Sequence, residues 1–126
     1  MRSLRVATAQ KDQVLDITSE VQSSLEAEEG VCTVFAAHTT CAVTTADLDP
    51  GTDQDMLEAF RKLLPAIRYH HPHDPAHTPD HILATLIGPA VSVPVHNGRL
   101  VLGVWQRIVL IELDGPRERD VHVTVR

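Results

Sequence analysis

The chain has 126 residues, 43% of them apolar, which is long enough to bury a core without disulfides or a structural metal. A formal charge of −6 argues against a broad nucleic-acid-binding surface, because such a surface needs clustered Lys and Arg. No apolar run is long enough to cross a membrane, and no secretory leader opens the sequence. We therefore expect a cytoplasmic protein with a single domain over residues 1–126 and two reduced cysteines.

The N-terminal quarter predicts a strand followed by an amphipathic helix. The segment SLRVATA alternates between apolar and polar residues, as a short strand does. Apolar residues four apart then predict the buried face of a helix over residues 16–30: Ile17, Val21 and Leu25. Asp16 or Thr18 is expected to cap this helix, and Gly30 to end it in a left-handed conformation.

A strand and a second helix are predicted next. VCTVFAAHTT is rich in β-branched residues and predicts a strand, with CAVTT as its continuation or its partner. The segment 49–65 predicts a helix that Pro65 closes. Its expected buried stripe is made of four residues: Met56, Phe60, Leu63 and Leu64.

The second half predicts a short helix and then strands. Thr78 is expected to cap the helix, Pro79 to be its first residue and Gly88 to end it. Asn97-Gly98 is a strong hairpin signal between two apolar segments. The run IVLIEL predicts a strand covered on both faces, whereas DVHVTVR alternates with its valines facing inward. Together these elements predict an α+β fold, a mostly antiparallel sheet with two to three helices packed on it.

Five of the eight histidines lie between residues 69 and 81, in YHHPHDPAHTPDH. A metal site, a proton relay and a polar loop are all compatible with this density. His81 falls in the first turn of the predicted helix, where the helix dipole disfavours imidazolium and keeps a neutral ring available as a metal ligand. His77 falls outside that helix. His81 is therefore the stronger candidate.

His38 follows an apolar strand in AAHTTCAVTT, beside Thr39 and Thr40. A role in coordination or proton transfer and a role as a turn histidine satisfied by the backbone are equally compatible with this position. His96 and His122 are expected to be surface residues. Three separated imidazoles can form one face of a catalytic zinc site, but no HExxH spacing is present.

Three segments closely resemble the YjbQ-like family: HTTCAVT, YHH…HTPDH and LIGPAVSVPVHNGRLVLGVWQRIVLIELDGPRER. The resemblance covers nearly the whole chain. It implies an α+β fold with one curved sheet, assembled as a homotrimer or hexamer. It also implies secondary thiamine-phosphate synthase activity, which joins a pyrimidine pyrophosphate to a thiazole phosphate and releases pyrophosphate.

The resemblance further implies a metal site with three histidine ligands: His38, His71 and His81. In the family motif, His71 follows a tyrosine that corresponds to Tyr69. The remaining histidines of the cluster, His70, His73 and His77, are interpreted as loop polarity. A site of neutral histidines favours zinc over magnesium, although magnesium is the usual ion in pyrophosphate chemistry.

The chain departs from the family at one point that bears on catalysis. Where members carry an Asn-Glu pair, this sequence has Ala46 and Asp47, so a carboxylate is kept with a shorter reach and the amide is lost. We expect three catalytic residues: Asp47, Thr39 and Glu112. As an acid between apolar neighbours, Glu112 also needs a partner such as an arginine.

Four further residues are candidates for binding an anionic, phosphorylated substrate: Trp105, Gln106, Arg117 and Arg119. Guanidinium groups can hold phosphate through paired hydrogen bonds, although solvated turn charges are the commoner reading of such arginines. A tryptophan can stack on a heteroaromatic ring that Gln106 would orient, or it can belong to an interface.

These observations favour an enzyme, with thiamine-phosphate synthase as the leading function. A metal- and anion-binding protein without turnover is the first alternative, and a metal-assisted hydrolase of a small phosphorylated metabolite is the second. The synthase predicts pyrophosphate release that depends on the thiazole phosphate, and the hydrolase predicts turnover without a second substrate.

Overall fold

The computed structural model describes residues 1–71 and 74–126, which form eight β-strands and three α-helices. In chain order they are β1 (Arg2–Ala7), β2 (Gln13–Asp16), α1 (Thr18–Ser24), β3 (Glu29–Ala36), β4 (Cys41–Ala46), α2 (Thr52–Leu63), α3 (Thr78–Ile87), β5 (Ala90–His96), β6 (Arg99–Leu100), β7 (Arg107–Glu112) and β8 (Glu118–Val125). A single 3₁₀ turn, Pro75–His77, precedes α3. Within the described residues, every helix is too short or too polar to cross a membrane.

The strands form two antiparallel sheets. The larger has the order β1-β8-β3-β5-β6, and the smaller has β7 at its centre between β2 and β4. The predicted α+β class with antiparallel pairing is therefore confirmed. A single sheet was expected, but the strands divide between two sheets, because the chain leaves the larger sheet after β1, after β3 and again after β6.

The central strand β7 separates the two parts of the core. Ile108 and Leu110 pack into the cluster under the larger sheet, while Val109 and Ile111 pack toward α2 and α3. All four are fully buried, which confirms that this strand is covered on both faces. Burial of each such side chain contributes about 1.5–3 kcal/mol, so β7 is a rigid support for the residues at its ends.

The N-terminal helix is shorter than its spacing predicts. It ends at Ser24, and a strand that the sequence pattern did not reveal, β2, precedes it and pairs with β7. The prediction that Gly30 ends the helix is wrong. Gly30 lies in β3 with φ 143°, where a side chain would collide with the backbone carbonyl of Arg126. Asp16 does accept hydrogen bonds from the backbone and hydroxyl of Thr18.

Three further predictions need correction. In α2, Phe60 and Leu64 of the predicted stripe do pack against the core, but the most buried residue is Leu57 and Leu63 is 72% exposed. Strand β4 pairs with β7 in the smaller sheet and does not continue or pair with β3. Thr78 is the first residue of α3, and His77 takes the capping position that Thr78 was expected to hold.

The turn predictions after α3 are confirmed. Gly88 ends α3 with φ 100°, and Asn97 and Gly98 have φ 51° and 75°, as a two-residue hairpin turn requires. The strand predicted from residue 99 onward is interrupted. It splits into β6 and β7 around residues 101–106, which we call the tryptophan loop.

Candidate functional site

Three of the predicted site residues line one surface cavity of about 360 Å³, which we call the histidine pocket. Its lining combines the β3–β4 connection, the start of β4, one face of α3 and the α3–β5 connection: His38, Thr39, Cys41, His81, Ala84, Thr85 and Pro89. A volume of this size lies at the lower end of the range for small-molecule sites. The pocket therefore has room for one small metabolite.

The His81 ring is oriented by the segment that carries the other pocket residues. Its Nδ1 donates a hydrogen bond to the backbone carbonyl of Thr39 over 3.2 Å. This contact leaves the Nε2 lone pair of the neutral ring unused, which is the usual arrangement of a histidine that binds a ligand or metal. His71 stacks on His81 with ring centroids 5.1 Å apart and an interplanar angle of 15°.

His38 is held differently. Its Nε2 accepts a hydrogen bond from the backbone N–H of Asp120 over 2.8 Å. Burial lowers the pKa of His38 and the nearby Arg119 charge lowers it further, although Asp120 and Glu112 act in the opposite direction. The ring is therefore neutral with its hydrogen on Nδ1, and it offers a donor where His81 offers an acceptor.

Cys41 is 1% exposed beside His38, at the start of β4. Burial raises the pKa of its thiol to about 11, and the neighbouring Arg119 charge offsets only part of that effect. Since thiolate is the nucleophilic form, this cysteine is unreactive near neutral pH. It therefore shapes the pocket and is not a nucleophile.

A buried ion pair lies behind the pocket. Glu112 and Arg119 are 0% and 3% exposed, and two hydrogen bonds of 2.5 and 2.9 Å join them. Arg119 also donates to the backbone carbonyl and hydroxyl of Thr40, next to the pocket residue Thr39. Both side chains are thus engaged in holding the β3–β4 connection, and neither reaches the pocket surface as a catalytic acid or phosphate-binding group would.

Glu112 has the arginine partner that its apolar surroundings require. It also accepts hydrogen bonds from the Thr8 hydroxyl and from the backbone of Leu113 and Asp114. Burial alone would raise the pKa of Glu112, but the Arg119 and other hydrogen bonds outweigh it and hold the pKa below its ordinary value. Glu112 is therefore ionised in the folded protein at neutral pH.

The other predicted binding residues lie elsewhere. Arg117 is exposed in the turn before β8 and binds the backbone carbonyl and carboxylate of Asp114. Asp47 and Trp105 line a second cavity of about 250 Å³ with Arg107. Gln106 supports the tryptophan loop through its side-chain bonds to Thr45 and to the backbone N–H of Gly103.

As arranged, the three predicted ligand histidines do not fit a three-histidine metal centre. Over residues 1–71 and 74–126, no group of three or more His, Cys, Asp or Glu lies close enough together to hold a metal ion. The only lone pair of neutral His38 is engaged by the Asp120 backbone. His71 and His81 face each other as parallel rings and do not converge on a point. His73 lies outside the described residues.

The predicted metal can be tested with two matched variants. Zinc bound through Nε2 of His81 should be lost in His81→Ala and retained in His38→Ala, because the His38 lone pair is already engaged. Elemental analysis of the purified, untagged proteins measures this directly. Loss of zinc in both variants would instead show that His38 is also a ligand.

Sequence reasoning missed several residues that shape the site. Thr85 follows His81 by four residues on α3, so helical spacing could have placed it on the same face. Asp80, 1% exposed, accepts from Lys11 over 3.2 Å and from Arg61 over 2.6 Å, which fixes the first turn of α3. The contact between His38 and the Asp120 backbone has no signature in the sequence.

The fold and this pocket define a small α+β protein with a cavity lined by histidines, and comparison with known proteins shows its family. A sequence model of the family described as UPF0047 protein YjbQ-like matches residues 2–126. The chain therefore belongs to the YjbQ/UPF0047 family.

Individual relatives agree over their full length. A UPF0047 protein of Archaeoglobus fulgidus is 40% identical over 121 residues, which cover 95% of this chain and 96% of the relative. The YugU protein of Bacillus subtilis is 33% identical, with 98% and 96% covered. A hypothetical protein of Aeropyrum pernix has a solved structure with a TM-score of 0.92 at 36% identity, with 99% and 96% covered. A family member from Clostridium acetobutylicum has a TM-score of 0.91 at 32% identity and full coverage of both chains.

Proposed function

We propose that the chain is a thiamine-phosphate synthase of low activity and that the histidine pocket is its reaction site. In this reaction the carbon–oxygen bond to pyrophosphate breaks as a carbon–nitrogen bond to the thiazole ring forms, so negative charge develops on the departing oxygen. The observation that carries the proposal is the pairing of one imidazole donor, His38, with one imidazole acceptor, His81, in a single cavity.

The pocket's own groups suit a departing phosphate. A neutral His38 carries its hydrogen on Nδ1 and can donate to a phosphate oxygen, as can the hydroxyl of Thr39. Donors fixed in advance stabilise developing charge without reorganising, which is a large term in enzymatic catalysis. Arg119 of the buried ion pair donates two hydrogen bonds to Thr40 and thereby positions the preceding residues His38 and Thr39.

The proposed assembly is a homotrimer or hexamer in the cytoplasm, as the family resemblance implies. A cavity of about 360 Å³ takes one of the two substrates and leaves the other in solvent. A neighbouring subunit would supply the missing walls. The oligomer is therefore part of the functional proposal.

A binding protein for small anionic metabolites is the second candidate, and one observation favours it. Asp47 replaces a family carboxylate, and it lines a different cavity from His38. Without a carboxylate in the pocket, the expected function is ligand binding without turnover.

The decisive assay follows pyrophosphate release with the pyrimidine pyrophosphate in the presence and absence of the thiazole phosphate. We expect release that depends on both substrates, and a fall in kcat/KM of about 100-fold in His81→Ala, the scale of a lost histidine contact in catalysis. His96→Ala is the matched control, because His96 is exposed and, among the residues that the structure describes, its side chain binds only Glu29. Release without the thiazole phosphate would indicate a hydrolase, and binding without release would indicate the second candidate.

A further inference from the structure

The predicted site residues lie at opposite ends of the β4–β7 ladder. Cys41 pairs with Glu112 at the end that carries the histidine pocket, and Ala46 pairs with Arg107 at the other. Five strand steps separate these pairs, about 17 Å at the usual rise per residue. Asp47 follows Ala46 and Trp105 precedes Arg107 at the far end, so a small ligand in the histidine pocket of one chain cannot touch either of them.

The tryptophan loop exposes apolar side chains although its backbone is held in place. Trp105 is 73% exposed, Val104 87% and Val101 52%. The loop is fixed by the Gln106 side chain and by a 2.8 Å bond from the Val101 amide to the Pro94 carbonyl. An ordered apolar tip of this kind is typical of a surface that another protein covers.

The rim of the histidine pocket offers a matching surface. Its lining includes Ala84 and Pro89, and Phe35 on β3 is 42% exposed. Phe35 pairs with Ala90, the residue after Pro89, which places it at this rim. The pocket thus combines an open mouth with an apolar border.

The polar groups of the two surfaces are also compatible. Asp47 and Asp49 flank Trp105 in its cavity, and neither forms an ion pair with any described residue. The histidine pocket carries two imidazoles and no acidic residue in its described lining. A carboxylate brought to this mouth could accept a hydrogen bond from Nδ1 of His38 and would meet no like charge.

We propose that a second copy of the chain lays its tryptophan loop over the histidine pocket, so that each complete site takes histidines from one subunit and Trp105 with Asp47 from the next. The inference extends the proposed function: Trp105 would stack on the planar heteroaromatic ring of a phosphorylated substrate held by the histidines. The two contacting surfaces differ, so the contact is head-to-tail, and its repetition around a closed ring gives a cyclic oligomer.

Cysteine cross-linking tests this geometry without relying on any activity. Trp105→Cys and Thr85→Cys are made in separate chains, which are co-expressed and mildly oxidised. The native cysteines are both buried, and the pKa of Cys41 is about 11, so they do not compete for the disulfide. We expect a covalent two-chain product only when both variants are present. Val104→Cys, at a position 87% exposed, provides a second partner for Thr85→Cys and should give the same product.

Trp105→Cys with Glu58→Cys is the matched control, because Glu58 is exposed on α2, away from the pocket. A monomeric protein, or no more Thr85 cross-link than Glu58 cross-link for both loop variants, would overturn the shared site. If the cross-link forms while thiazole-dependent pyrophosphate release is absent, the shared site stands and the synthase proposal fails. The two proposals are therefore separable.

Discussion

Replacement of Arg119 by alanine should lower the free energy of unfolding by about 3–5 kcal/mol, the usual cost of removing one partner of a buried ion pair. Glu112 would remain fully buried and charged, with hydrogen bonds only from Thr8 and two backbone amides. The Thr40 carbonyl would also lose its donor. Urea denaturation at one fixed protein concentration measures the change, since stability of an oligomer depends on concentration.

Arg5→Ala is the matched control, because Arg5 lies on β1 with about two thirds of its side chain exposed and pairs with Glu118 and Asp120 of the same strand β8. It should cost less than about 1 kcal/mol. An equal loss of unfolding free energy in the two variants would show that the buried ion pair contributes no more to stability than the exposed one.

The Glu112–Arg119 pair also makes the free energy of unfolding depend on pH. The folded state lowers the pKa of Glu112 below its ordinary value, so its contribution is fully present above that ordinary value and is lost as pH falls through the lowered one. The stability difference between the wild type and Arg119→Ala should therefore shrink in acid.

Asp80→Ala should lower the free energy of unfolding by about 1.5–3 kcal/mol, the scale of hydrogen bonds to a charged group, because it deletes the buried charge and leaves the partly exposed Lys11 and Arg61 without it. Asp80 is 1% exposed and binds both Lys11 and Arg61, which join the β1–β2 connection and α2 to the first turn of α3. Asp12 keeps Arg61 partly satisfied, which moderates the loss. Because His81 follows directly in the chain, its hydrogen bond to Thr39 should weaken as well.

Asp55→Ala is the control for this change. Asp55 is also an acid in the first helical turn, of α2, but it is exposed and its carboxylate has no partner among the described residues. Asp55→Ala should lose only the favourable interaction of this carboxylate with the dipole of α2, which is about 0.3–1 kcal/mol. A comparable loss in both variants would mean that Asp80 acts through the dipole and not through its ion pairs.

Local patterns predicted the elements that local chemistry controls. The alternating valines of β8 reveal one buried face, because successive side chains of a strand point to opposite faces. The continuous apolar run of β7 reveals a strand that is covered on both faces. Gly88 and Asn97-Gly98 were predicted correctly, since positive φ angles favour those residue types. Such features depend on a few neighbouring residues only.

Elements fixed by distant pairing were less predictable. The helical spacing of Ile17, Val21 and Leu25 is real, yet the chain is extended at Leu25 because β3 must begin at Glu29 to pair with β5. The four residues of β2 are too few to show a period, and it is their ladder with β7 that makes them a strand. In α2 the burial of Leu57 depends on how the helix rotates against the sheet.

The candidate site was predictable in its members and not in its arrangement. His38 and His81 were singled out by position in the sequence, and they do line one cavity. The separation of Trp105 from them follows from the β4–β7 register, and the state of His38 follows from one backbone amide of β8. Neither contact leaves a trace in residue spacing.

The position of Trp105 also determines what fluorescence can report. It is the chain's sole tryptophan, and it sits at an exposed tip instead of in the aliphatic core. Its emission will therefore change little when an isolated chain unfolds and strongly when anything covers the tip. Intrinsic tryptophan fluorescence therefore reports association of this protein, and unfolding is better followed by far-ultraviolet circular dichroism.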